Sequence, residues 1–254
     1  MIPDGMARCQ NDPMRPSGII FAALDCDAAV IEDWNRWYDL EHTPPNVMLE
    51  GVMLSNRYVA PPTHHRARSC VEGSPFAAGR ATFVTIYTLT GDPQVAFDDM
   101  SSLRERLIDT GRMAFPEDRK AVREGDCFAG VSAFASPPTR LVADDVPFVG
   151  HTGIVLRQRR GGGDAARERA SRLVDHDGVH GVWTLTSRLR PGLDLDIVFV
   201  EGDASEAATR LRDAEPADAA TEVLVDAPFE RINPMHYPWA GSIRDSDLPA
   251  TVAN

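Results

Sequence analysis

Cysteine is scarce in this chain and never clustered. Cys9, Cys26, Cys70 and Cys127 are widely spaced and form no Cys-x-x-Cys pair, which argues against disulfide staples and a structural zinc site. Basic residues are in deficit: 26 Lys and Arg stand against 38 Asp and Glu, a formal net charge of -12. A nucleic-acid surface needs a basic stripe to neutralise phosphates, so nucleic acid is set aside as a partner. No apolar run approaches bilayer-spanning length, and Met1 to Pro16 holds no apolar core of signal-peptide length. The expectation is a soluble, cytoplasmic protein with no membrane partner. Nicotinamide and flavin fingerprints, a Gly-x-Ser-x-Gly elbow and a catalytic-cysteine context are also missing. Gly161-Gly162-Gly163 lacks the lysine and hydroxyl of a phosphate loop and reads as a turn.

What is present is an ordinary globular composition, 43% hydrophobic and 25% charged over 254 residues, enough for one large or two small cores. Residues 1–17 are polar and proline-rich, a loose arm. Gly18 to Leu24 reads as a buried strand, and Asp27 caps a helix that runs to the prolines Pro44 and Pro45, which end it. Val52 to Ala60 is a strand, Pro61 to Gly79 a long loop, and Ala81 to Leu89 a strand rich in β-branched and aromatic residues. Asp92-Pro93 starts a helix that stops near Gly111, and Cys127 to Ala135 is the fourth strand. After a linker the order recurs. Thr152–Gln158, a helix over Asp164–His176, Val179–Leu189, Asp194–Val200, a helix over Ser205–Asp213, and Glu222–Ala227 repeat the pattern.

Two β-α-β-β-α-β units therefore follow one another: 18–136, a linker at 137–149, then 150–232, with a proline- and aromatic-rich tail at 233–254. The fold class is α+β, two tandem ferredoxin-like units packed sheet to sheet as an intramolecular barrel. One local echo supports the repeat, Gly51-Val-Met-Leu-Ser-Asn-Arg57 beside Gly181-Val-Trp-Thr-Leu-Thr-Ser-Arg188.

The candidate site sits on the first helix. Ile31, Trp34, Tyr38 and His42 share one face, with Glu41 toward one flank and Asp39 toward the other. A histidine is thus carried to the inner end of an apolar face beside two carboxylates. Its ordinary pKa suits proton transfer near neutrality, with Asp39 orienting the ring and Glu41 reaching across to Arg57. The alternatives are a helix-end histidine whose charge suits the macrodipole, and a buried ring satisfied by one backbone bond. Tyr38, Tyr58 and Tyr87 are candidates for holding a carbonyl or phenolic oxygen, Arg57 for clamping a carboxylate, and Trp34 and Trp37 for walling an apolar pocket. His64-His65 could ligate a metal, but no carboxylate or cysteine sits at a ligand spacing; no metal site is assigned.

Trp37-Tyr38-Asp39-Leu40-Glu41-His42-Thr43-Pro44, followed by Gly51 and Arg57-Tyr58, resembles the dimeric α+β barrel superfamily, and within it the EthD-like branch. The resemblance implies a barrel of ferredoxin-like units and a small-molecule pocket. It does not choose among the superfamily's chemistries, which include cofactor-free monooxygenases, isomerases, and dehydratase- or decarboxylase-like proteins of aromatic and polyketide metabolism. Haem-handling members occur as well. The second unit keeps no Glu-His-x-Pro; Val174-Asp175-His176-Asp177 stands where the helix end belongs, so one working pocket per chain is expected.

The sequence reading is a cofactor-independent acid/base enzyme of lyase, dehydratase, isomerase or decarboxylase type. It acts on a small hydrophobic compound, aromatic or polyketide-like, with His42 moving the proton. The alternatives are a non-catalytic binder or accessory protein of a degradation pathway, and a cofactor-free monooxygenase. No cofactor is assigned; haem has least support because no axial ligand stands apart from His42. Pairing of pseudo-symmetric chains into a homodimer is compatible with the repeat.

Overall fold

The computed structural model describes residues 15–137, 142–214 and 219–248. The expected arm up to residue 14, part of the linker and the last six residues lie outside that range.

Strand β1 (Gly18–Cys26) leads through a 3-10 turn, capped by Asp27 at Ala29 N (2.9 Å), into α1 (Ile31–Trp37). Then follow α2 (Thr43–Val47), β2 (Val52–Val59), α3 (Pro62–Ala67), the two-residue β3 (Ser69–Cys70), β4 (Phe83–Leu89), α4 (Pro93–Asp109) and β5 (Lys120–Ala135). The second unit comprises β6 (Gly153–Gly161), α5 (Gly163–Arg172), β7 (Val179–Ser187), β8 (Leu193–Val200), α6 (Ala204–Ala214) and β9 (Thr221–Arg231), and the tail carries α7 (Ala240–Arg244).

Strand neighbours run β2-β4-β1-β5-β7-β8-β6-β9, and β9 pairs back onto β2, so the sheet closes into a ring. Each unit has the same antiparallel order, with its first strand between its third and fourth. The expected pair of ferredoxin-like units, meeting face to face within one chain, is the observed fold. All eight ring strands feed one interior cluster, from Ile19, Phe21 and Tyr58 to Trp183, Ile197 and Phe229. Alternate residues point outward under the helices, as a strand's period of two requires.

Both openings of the barrel are filled. Phe76, from the segment read as a plain loop, reaches the interior and lies 6.4 Å from Phe21 and 6.3 Å from Phe229. Arg68 pins that segment by donating to Arg80 O (2.6 Å) and Ala81 O (2.8 Å). The inter-unit segment forms a 3-10 turn, Ala143–Phe148, which sends Val146 into the core; Trp183 Nε1 donates to Ala143 O (3.0 Å).

The two seams between units differ. β5 and β7 share six residue pairs, whereas β9 shares two with β2, Tyr58↔Arg231 and Val59↔Glu230, and two with β3, Ser69↔Asp226 and Cys70↔Val225. Beyond those the first half of β2 has no partner on the β9 side, and β9 leaves the barrel after Ile232 N donates to Arg57 O (2.8 Å).

Two expectations need correction. Pro44 and Pro45 do not end the helix. Residues Tyr38–His42 form a π turn in which Thr43 N donates to Tyr38 O, and both prolines then sit in the first turn of α2, where a missing N–H costs nothing. The sequence echo was also three residues out of register. Gly51 and Gly178 both have left-handed φ (+82° and +80°), and their carbonyls accept from Thr90 N (2.8 Å) and Glu201 N (2.7 Å) respectively. Matching bulges follow, at Val52/Leu54 and Val179/Gly181. Gly51 thus corresponds to Gly178, and Arg57 to Thr184 rather than Arg188.

Candidate functional site

The outer face of β2 carries Ser55, Arg57 and Val59 in alternation, and Arg57 runs beneath the helix that crosses it. Its guanidinium lies 4.1 Å from the Tyr38 ring centre and 5.5 Å from that of Trp34. It forms a buried ion pair with Asp39 and donates to Asn35 Oδ1 (2.6 Å). The π turn carries Asp39 within this reach. Asp39 Oδ2 also accepts from Met235 N (2.8 Å) and Tyr237 OH (2.6 Å), so one carboxylate ties β2, the motif helix and the tail together. Arg57's partner is Asp39, not the expected Glu41, whose side chain is exposed.

A cleft of about 740 Å³ opens beside this ion pair, over the loose β2–β9 seam. Asp39, Thr43, Ser55 and Arg57 wall it on the first unit's side; His64, Asp203, Glu230 and Ile232 face them from α3, the start of α6 and β9. It continues past the end of β9 to Asn56, His151 and Arg231. Arg231 donates to Asn56 Oδ1 (2.9 Å) and Val149 O (3.4 Å), both neutral acceptors. His151 Nδ1 bonds Val149 O (3.0 Å), which leaves Nε2 to accept from Tyr58 OH (2.9 Å); burial holds this ring's pKa down at about 4. Burial likewise lowers His64, against the pull of Asp203, and it raises the carboxyl of Glu230, with Asp203 adding to the rise. Three lining residues keep buried polar atoms without a partner among the described residues: Thr43 Oγ1, Ser55 Oγ and Arg57 Nε.

His42 lies elsewhere. Its ring is wedged between Tyr38 (4.3 Å) and Trp37 (5.1 Å), and Nδ1 is buried with no partner among the described residues. Burial first, then the charges of Lys120, Arg57 and Arg104, press its pKa down to about 3. Asp39 is committed to Arg57 and Glu41 points to solvent, so no carboxylate orients the ring.

Trp34, Tyr38 and Tyr87 are buried in the layer between helix and sheet. Tyr87 OH is 3.5 Å from Asn46 Nδ2. Tyr58 points inward and meets the cleft only through His151. Of the nine residues singled out from sequence for the pocket, Asp39 and Arg57 line the cleft. His64-His65 lies on helix α3, not on an extended loop; His64 Nδ1 is 3.2 Å from Thr63 Oγ1, and no metal-holding cluster exists among the described residues. In the second unit Thr184 replaces Arg57, and His176 has no carboxylate partner among the described residues. Sequence reasoning missed Thr43, Ser55, Asn56, His64's place in the cleft, His151, Asp203, Glu230 and Arg231. Six segments contribute them, and only closure of the ring brings them together.

No protein-family model matches this chain, and no curated protein does. Solved structures match in fold. The encapsulated DyP-type peroxidase from Mycobacterium smegmatis is 10% identical, covering 94% of this chain and 99% of its own, with a TM-score of 0.52. A protein provisionally assigned as a chlorite dismutase is 9% identical, covering 89% of this chain and 98% of its own, with a TM-score of 0.50. At these identities the likeness is one of fold: two repeated ferredoxin-like units joined in one α+β barrel.

These findings correct the functional reading from sequence. The solved neighbours are described as a peroxidase and a dismutase, not as lyases or isomerases. A ring held neutral down to about pH 3, without an orienting carboxylate and outside the cleft, is no base for a cofactor-free proton transfer. Most side chains that line the cleft are polar or charged, whereas the sequence pointed to a pocket walled by tryptophans.

Haem, which the resemblance associates with some members, needs a flat apolar slot with an axial ligand at its face. The outer layer of the second unit is filled by Val155, Ala170, Leu173, Val198, Ala208 and Leu211. Both nitrogens of His151 are engaged, and His64 stands near Asp203 rather than against an apolar wall. The described residues do not fit the group.

Proposed function

We propose that the chain is a small-molecule enzyme whose substrate is a compact organic acid bound in the seam cleft. One observation carries this reading. The cleft presents two guanidinium groups with unspent hydrogen-bonding capacity: Arg57, 6% exposed with Nε unpartnered, and Arg231, held only by neutral oxygens. Thr43 Oγ1 and Ser55 Oγ beside them are unpartnered too. Buried donors without acceptors are costly, and a carboxylate is acceptor-only with room for several donors. Arginine also matches carboxylate geometry better than any other side chain. The volume lies within the range of small-molecule sites, roughly 300–1,000 Å³.

Turnover rather than storage is supported by the solved neighbours, both described as enzymes. The peroxidase description makes oxidative conversion with peroxide the first chemistry to assay. The likeness to the EthD-like branch rests on the motif alone. In this reading the motif builds one wall of the cleft through Asp39 and Thr43, and His42 packs behind it.

The test is a thermal-shift and calorimetric screen of mono- and dicarboxylates, followed by mass spectrometry of incubations with peroxide. Binding of at least one acid, weakened about tenfold or more in Arg231→Gln, is the expected result. If no carboxylate shifts the melting curve, or Arg231→Gln binds as well as wild type, the reading is wrong.

A further inference from the structure

The cleft is not uniformly basic. Opposite Arg57 it carries Glu230, half-buried, with no hydrogen-bond or ion-pair partner for its carboxyl among the described residues. Asp203 stands close enough to raise Glu230's pKa. Asp203 caps α6 through Oδ1 alone, which takes Ser205 N (2.7 Å), Ser205 Oγ (2.5 Å) and Glu206 N (3.2 Å). Its Oδ2 has no partner among the described residues. His64 supplies no balancing charge, because burial keeps it neutral. Two carboxyl groups therefore face a recess with no cation paired to either.

Register fixes how far this acidic end lies from Arg57. Val59 pairs with Glu230, and the ladder continues with Ile232 N to Arg57 O, so Glu230 is Arg57's diagonal neighbour on the same outward face. Diagonal residues in an antiparallel pair lie about 7–8 Å apart, their Cβ atoms somewhat closer. Arg57 does not use that proximity; it turns to Asp39 and Asn35. A guanidinium with an unpartnered Nε and an unpaired carboxyl thus share one outer face at a spacing that suits a compact molecule with charges of both signs. An ammonium ion placed there would relieve the repulsion between Glu230 and Asp203, which an uncharged or purely anionic ligand would not.

We infer that the acid bound in the seam cleft also carries an ammonium group, so that the ligand is a zwitterion of the α-amino-acid type, its carboxylate toward Arg57 and Arg231 and its ammonium against Glu230 and Asp203. This rests on the organic-acid reading of the same cleft. It makes Glu230 the residue that selects amino acids over their deaminated counterparts.

The experiment is calorimetric titration of the full chain with two matched series, aspartate, malate and succinate, and phenylalanine, phenyllactate and 3-phenylpropionate. In at least one series the amino acid is expected to bind about tenfold or more tightly than the plain acid, with the hydroxy acid between. Glu230→Gln, checked for native circular dichroism, should bring that ratio to about one, because the ammonium loses its counter-charge. If amino acid and plain acid bind equally to wild type, or the ratio survives in Glu230→Gln, the zwitterion assignment falls and the organic-acid reading stands. If no member of either series binds, both fall.

Discussion

Asp39 offers the sharpest test of the site's architecture. Its side chain is 5% exposed and that of its partner Arg57 is 6% exposed, so replacing Asp39 by alanine strands a guanidinium charge in the protein. Breaking a buried pair in this way costs about 3–5 kcal/mol. The bonds from Met235 N and Tyr237 OH go as well, but those donors lie near solvent and recover most of their loss from water, about 1 kcal/mol or less each. A total near 4 kcal/mol is expected for Asp39→Ala, a large part of a typical stability of about 5–15 kcal/mol. Tyr237→Phe should cost only about 1 kcal/mol, which separates the tail's share from the ion pair's. Asp39→Leu combined with Arg57→Met should fall within about 1–2 kcal/mol of wild type, because an apolar pair of similar volume leaves no charge behind. Urea unfolding followed by tryptophan fluorescence reads all three variants against wild type, provided the slope with denaturant stays constant. A loss below about 1 kcal/mol in Asp39→Ala would refute the reasoning, since nothing else among the described residues neutralises Arg57.

His42 should remain neutral far below its ordinary range, titrating near pH 3 in an imidazole NMR experiment; a midpoint close to 6.5 would contradict its packing. Because the folded pKa lies below the unfolded one, the protein keeps this ring's full contribution above about pH 6.5 and loses it as pH falls toward 3. His42→Phe should therefore flatten the acid side of the stability profile. Phe76→Ala should cost about 3–5 kcal/mol by opening a void where the plugging segment meets Phe21 and Phe229, and chemical denaturation checks it. Glu41→Ala should change stability by less than about 0.5 kcal/mol, in keeping with its exposure. Gly153→Ala should destabilise strongly, because a Cβ there would stand 2.4 Å from Phe229 O, and the loss appears in the same unfolding assay.

Strands such as Phe83–Leu89 were legible because every residue is buried and most are β-branched or aromatic. Helix α4 was legible from its Asp92-Pro93 start, and Asp92 does accept from Gln94 N (2.9 Å). The first half of β5, Lys120 to Asp126, was not. Its buried positions are Glu124 and Asp126, acidic residues that only distant partners make tolerable: Arg190 and Gln158 for Glu124, Arg190 and Ser187 for Asp126. Nothing local announces such a strand. The motif Tyr38-Asp39 did mark one wall of the cleft, because a rare helical turn needs its own sequence. The opposite wall depends on ring closure, and Glu230 and Arg231 carry no signal in a strand that reads as ending at Ala227. The functional misreading came from periodicity as well. His42 does follow Trp34 and Tyr38 on their helix, but the turn that delivers Asp39 to Arg57 leaves the imidazole stacked among aromatics.

The unequal joints of the ring have a consequence for assembly. A closure of four residue pairs, two from β2 and two from β3, against six at the other side is the place where the molecule parts with least loss. Once parted, the bare edge of β9 can accept β2 from another molecule as readily as its own, and the reverse contact completes the knot. Crowded chains would then trade halves and emerge as an interlocked dimer, with every native strand pairing kept and no fresh surface required.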